Sequence, residues 1–143
     1  MENVSAVSKI TEEELFVYYV QQLINMVHRQ NKKAGWWNDL NTNESLTNKQ
    51  GEPFVRNVPE LLALVHSEVS EAFEGYRKNL TDKHLPQHDN MTVELADAML
   101  RILDIAGGLD LRLAQASSDK LVYNRNRADH KKENRLLVNG KKF

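Results

Sequence analysis

Apolar residues recur at three- and four-residue intervals through most of the chain, and the rhythm breaks only at clusters of Gly, Pro, Asn and Asp. Leu15, Tyr18, Tyr19, Leu23, Met26 and Val27 make one stripe. Thr11 followed by Glu14 is a capping box ahead of that stripe, so the pattern predicts a first helix from Thr11 to about Gln30. Asn31 to Asn57 contains Gly35, Gly51 and Pro53 and reads as a long loop. Pro59 suits a first helical turn, which starts a second helix lasting to about Asn79. After a polar loop from Leu80 to Asn90, Asn90 or Thr92 can cap a third helix, and Gly107-Gly108 marks its end. A fourth helix is expected from Asp110 to about Arg127 on Leu111, Leu113, Ala114, Leu121 and Val122. No strand alternation and no internal repeat interrupts this series. The expected fold is all-α, a four-to-five-helix bundle forming one domain over 1–143, with an irregular N-terminus (1–10) and an irregular basic tail (128–143).

Two helices break the usual segregation of polar from apolar. On the second, Leu61, Leu64, Val65, Val69, Ala72, Phe73 and Tyr76 fill one arc, yet Glu68 falls inside it and Glu71 at its edge. The third is apolar nearly all round, with one polar stripe of Glu94, Asp97, Arg101 and Asp104. An ionised carboxylate taken out of water without a partner costs several kcal/mol, so such acids need cations or hydrogen-bond donors. Residues three apart share a helix face, and an antiparallel hairpin of helices 60–79 and 91–106 can bring Glu68, Glu71, Glu94 and Asp97 to one point. Four converging carboxylates suit a hard cation, Mg²⁺ or Mn²⁺, whose protein role is commonly to hold substrate phosphates. Asp104 is placed either to support the metal ligands or to pair with Arg101, and Glu74 is expected on the solvated side. The third helix is also apolar on more sides than one hairpin partner can cover, which predicts a dimer or a dimer of dimers.

Composition narrows the alternatives. The 143 residues are 41% hydrophobic and 27% charged, a globular balance for one ordinary domain. With no cysteine, disulfides, thiolate nucleophiles and Cys-ligated zinc are excluded. The longest apolar run is Leu15 to Val20 and the N-terminus lacks a basic region followed by an apolar core, so neither a membrane span nor a secretory signal is expected, and a cytoplasmic protein is. Residues 120–143 hold eight Lys or Arg against Asp129 and Glu133, a net of +6 that leaves −7 on residues 1–119. An acidic body with a basic end fits a metal-polyphosphate ligand, whereas it would repel a nucleic-acid backbone. Trp36 and Trp37 stand together in the long loop, suited either to stacking on a base or to anchoring the loop in the core. The five His residues show no ligand spacing, and no Glu has a His three residues later as in di-iron bundles, so surface positions are expected for them.

The motif Glu68-Val69-Ser70-Glu71, twenty-two intervening residues, then Glu94-Leu95-Ala96-Asp97 resembles the all-α nucleoside triphosphate pyrophosphohydrolases, the MazG-like proteins. Their flanks resemble HSEVSEAFEGYRK and ELADAMLRILDIAG, and Lys120 to Arg127 is similar to the family's Lys/Tyr-Asn/Arg element. The likeness runs from Ala34 to Lys132, after which HKKENRLLVNGKKF carries residues that some relatives lack. The resemblance implies a Mg²⁺-dependent enzyme, homodimeric or homotetrameric, that cleaves a nucleoside triphosphate to the monophosphate and pyrophosphate and so clears the nucleotide pool. It implies Glu68, Glu71, Glu94 and Asp97 as metal ligands, Glu71 as the base for the attacking water, and Lys120, Asn124, Arg127, Trp36 and Trp37 as substrate contacts. The rival expectation is a non-catalytic metal- or nucleotide-binding helical module with a regulatory role.

Overall fold

A computed structural model describes residues 10–47 and 56–142 of the chain. Among these the architecture is all-helical: α1 (Glu12–Lys33), α2 (Val58–Lys78), α3 (Asn90–Gly108), α4 (Leu113–Asn126) and α5 (Lys132–Arg135), with a 3₁₀ turn at Ala128–His130. Among the described residues the only extended pairings are isolated bridges, Asn38 with Ser45 and Thr81 with Asp89. No helix among the described residues is long and apolar enough to cross a membrane. The chain divides into two compact units, one of residues 23–111 and one of the two chain ends, up to Gln22 and from Arg112.

Local chemistry sets the helix ends. Thr11 and Glu14 form the expected capping box, with Glu14 N–H donating to Thr11 Oγ1 at 3.1 Å and Thr11 N–H to Glu14 Oε2 at 2.8 Å. Apolar periodicity fades after Val27, yet α1 continues to Lys33, three residues past the expected end. Gly35 is the actual stop: at φ +88° it lets its own N–H reach Lys32 O and that of Trp36 reach Asn31 O, a Schellman closure. Asn57 caps α2 by accepting from Glu60 N–H, and Asn79 ends it in the left-handed conformation.

Two expectations are corrected, the cap of α3 and the form of the tail. Asp89, rather than Asn90 or Thr92, caps α3, its Oδ1 accepting from Thr92 N–H at 2.8 Å. Gly107 and Gly108 close α3 as expected, as the last two residues of the helix, and Asp110 at φ +51° takes the left-handed position beyond it. The two glycines are there for closeness: a Cβ on Gly107 would stand 2.4 Å from His28 Cβ, and one on Gly108 2.0 Å from Trp37 Cη2. The tail from Ala128, expected to be irregular, contains the 3₁₀ turn and α5. The expectations for residues 1–9 and for the middle of the long loop, 48–55, lie outside the described residues.

The larger unit is built on the α2–α3 hairpin. Trp37, Leu61 and Ile105 are buried together at its core, with Val65 and Leu109 against them. Ile24 and Val27 bury the inner side of α1. Leu62, Val69, Phe73 and Tyr76 on α2, and Leu95, Met99 and Ile102 on α3, remain exposed on the chain taken alone.

Candidate metal centre

The hairpin register decides which acids meet. Glu68 from α2 and Glu94 and Asp97 from α3 each present a carboxylate oxygen, and these atoms lie within 4.8 Å of one another. Glu68 is buried, Glu94 half-buried and Asp97 exposed. Glu71, one turn after Glu68, is exposed and stands outside this trio, although its charge still reaches Glu94. Burial pushes the Glu94 carboxyl above its ordinary 4.5; the Asn90 hydrogen bond pulls it back, and repulsion from Glu71 and the proximity of Glu68 raise it further.

Two donors already hold the acids. Arg101 Nε donates to Glu68 Oε1 at 2.6 Å, and Asn90 Nδ2 donates to Glu94 Oε1 at 2.8 Å. Asn90 can reach inward because Gly75 faces it on α2, where a Cβ would stand 2.1 Å from Asn90 Oδ1. Asn90 therefore holds a site carboxylate instead of capping the helix, and its i, i+4 spacing to Glu94 was the sequence signal for that role.

The residues fit a hard divalent cation. Three carboxylates with no nitrogen or sulfur donor suit Mg²⁺ or Mn²⁺ over softer metals. Oxygens bound to one Mg²⁺ at about 2.1 Å are at most about 4.2 Å apart, so a span of up to 4.8 Å asks only a small side-chain rotation. Glu68 keeps Oε2 for such a role while Oε1 stays on Arg101.

Asp104, two turns beyond Asp97, does not pair with Arg101. Its Oδ1 accepts from Trp37 Nε1 and lies 2.9 Å from His28 Nδ1, while the two rings meet edge to face with centroids 5.1 Å apart. Of the two tryptophans, Trp37, 1% exposed, takes the anchoring role in the core, and Trp36 is 66% exposed. His28, expected at the surface, is drawn in by Asp104, whereas His66, His84, His88 and His130 are exposed. Glu74 pairs with Arg77 and Lys78 on the solvated side of α2.

A cavity of about 520 Å³ adjoins the trio, and Asp97 and Arg101 contribute to its wall. Trp36, Arg56, Glu60, Leu61 and Asp104 line it further, and the volume is that of a small-molecule site.

Lys120, Asn124 and Arg127 belong to the other compact unit. Lys120 Nζ stands 4.7 Å and Arg127 Cζ 5.6 Å from the Tyr123 ring centroid. Arg127 grips Asp129 with both arms of its fork, Nε to Oδ1 at 2.9 Å and Nη2 to Oδ2 at 2.6 Å. Asn124 Oδ1 is buried without a hydrogen-bond partner among the described residues. Comparison of the chain with protein-family models, curated proteins and solved structures returns no match.

Proposed function

We propose that this chain is a divalent-cation-dependent nucleoside triphosphate pyrophosphohydrolase, as its resemblance to the MazG-like proteins implies, releasing a nucleoside monophosphate and pyrophosphate. The observation that carries the proposal is the convergence of Glu68, Glu94 and Asp97 beside a cavity of about 520 Å³ bordered by an exposed Trp36. Mg²⁺ bound there would supply neutralisation of phosphate oxygens and a lowered pKa for a coordinated water. Glu68, Glu94 and Asp97 would hold the cation, Arg101 would fix Glu68 in one orientation, and Asn90 would do the same for Glu94. Glu71, not drawn into the trio, is the carboxylate left to take the proton as water adds at phosphorus and the bond to the bridging oxygen breaks. Assembly as a homodimer or homotetramer belongs to the same proposal: the apolar residues exposed on α2 and α3 would be covered by a second copy.

A second reading is favoured by one observation. Arg101 already neutralises Glu68 and Arg127 already closes on Asp129, as they would in a non-catalytic module stabilised by ion pairs. Pyrophosphate release from a panel of nucleoside triphosphates, with Mg²⁺ or Mn²⁺ against chelator, separates the two. Metal-dependent release of pyrophosphate and monophosphate is expected, and a panel without turnover refutes the enzyme.

A further inference from the structure

The cavity beside the carboxylates carries a hydrogen-bonding pattern of its own. Glu60 lies eight residues before Glu68 on α2, about 12 Å along the helix axis, a separation on the scale of the base and phosphates of one nucleotide. The Glu60 carboxylate makes no hydrogen bond or ion pair among the described residues, although its backbone N–H is used by the Asn57 cap. Arg56, near it in the wall, is held in orientation: Nη1 donates to the Trp36 carbonyl at 3.1 Å, and Cζ lies 5.3 Å from the Trp37 ring centroid. The exposed Trp36 ring lines the same cavity and offers a stacking face.

An ionised carboxylate only accepts and a guanidinium only donates, so this pair distinguishes bases by where their donors fall. Guanine presents two adjacent donors, N1–H and the N2 amino group, beside the O6 and N7 acceptors. Adenine and cytosine place a ring acceptor next to their amino group, which would set a lone pair against a Glu60 oxygen. Uracil and thymine present a single N–H between two carbonyls, leaving the second oxygen of Glu60 unmet.

We propose that this cavity selects guanine nucleotides, with Glu60 accepting from N1–H and N2, Arg56 donating to O6 and Trp36 stacking on the ring. The inference rests on the pyrophosphohydrolase reading for the triphosphate, but base selection is measurable without catalysis. The test is titration of the full chain with guanosine, inosine, adenosine, cytidine and uridine 5′-monophosphates, for wild type and Glu60→Gln, alongside pyrophosphate release from the matching triphosphates. Guanosine monophosphate is expected to bind about 5- to 150-fold more tightly than the others, including inosine monophosphate, which lacks only the N2 amino group. Glu60→Gln should erase most of the guanosine-over-inosine gap. Equal binding of guanosine and inosine monophosphates to the wild type, no binding of any monophosphate, or an unchanged gap in the variant overturns the proposal. Guanine-selective binding with no turnover would uphold it and refute only the enzyme; turnover without base preference would do the reverse.

Discussion

Arg101 on α3 donates Nε to Glu68 on α2 at 2.6 Å, so the most buried acid of the trio has a basic partner of its own. The pair has two consequences that pull apart on mutation. Arg101→Leu leaves a buried carboxylate beside Glu94 without its donor, and metal-free stability should fall by about 1–3 kcal/mol. It also frees Glu68 Oε1, so added Mg²⁺ should raise the melting temperature more in the variant than in the wild type. Thermal unfolding of both proteins in chelator and in Mg²⁺ checks this, and an equal metal-induced rise would remove Arg101 from the site.

Glu71→Gln and Asp97→Asn should each abolish metal-dependent turnover, one by removing the proton acceptor and the other a cation ligand. Neither should destabilise the metal-free protein, because clustered carboxylates repel one another and neutralising one relieves the rest. Steady-state assays together with urea unfolding in chelator measure both effects. Retained turnover in the two variants would be incompatible with the assignment.

Gly108→Ala is expected to destabilise, against the usual preference of a helix for Ala over Gly by about 1 kcal/mol. The added Cβ would stand 2.0 Å from Trp37 Cη2, a buried ring that Asp104 and the core hold in place. Overpacking of this kind costs about 1–3 kcal/mol, so a net loss should appear in urea denaturation. A stabilised Gly108→Ala would mean that Trp37 is not fixed against α3.

Asp89 supplies the pH test. The Thr92 hydroxyl and then the Thr92 N–H hold its carboxyl below the ordinary 3.8. A depressed folded-state pKa adds stability that is present above 3.8 and is lost as pH falls through the lower folded value. Asp89→Ala should therefore lower the denaturant midpoint at neutral pH, and its deficit should shrink as pH drops below 3.8. Asp89→Asn keeps a cap at every pH and should stay near the wild type in neutral solution. A deficit for Asp89→Ala that does not change with pH would show that the carboxylate charge plays no part.

Arg127→Ala separates a substrate contact from a purely internal ion pair. If Arg127 grips phosphate as charge builds in the transition state, kcat should fall as KM rises. If its fork serves only Asp129, stability changes and both constants stay at wild-type values.

Helices and their acids are legible in residue order because both depend on spacing within one segment. The capping box at Thr11, Pro59 in the first turn of α2 and the paired acids at Glu68/Glu71 and Glu94/Asp97 are local patterns, and the helices formed where they pointed. Local rules also explain the nearest misses: Gly35, not the fading apolar stripe, ended α1, and Asp89 outcompeted its neighbours as a cap. Contacts between segments distant in sequence are another matter, since no periodicity encodes a partner. Gly107-Gly108 marked the helix end from residue order alone, but nothing local showed that His28 and Trp37, more than seventy residues earlier, require the missing side chains. The same distance hid the choice between Trp36 and Trp37, which turned on whether an indole N–H could reach Asp104. Asn90 did carry a local signal in its i, i+4 spacing to Glu94, but that its side chain has room there because Gly75 on the facing helix has no Cβ is a contact between helices. Four acids can be chosen by spacing, but the hairpin register brought three of them within 4.8 Å and left Glu71 outside, because register is set by the packing of two whole helix faces and not by either motif.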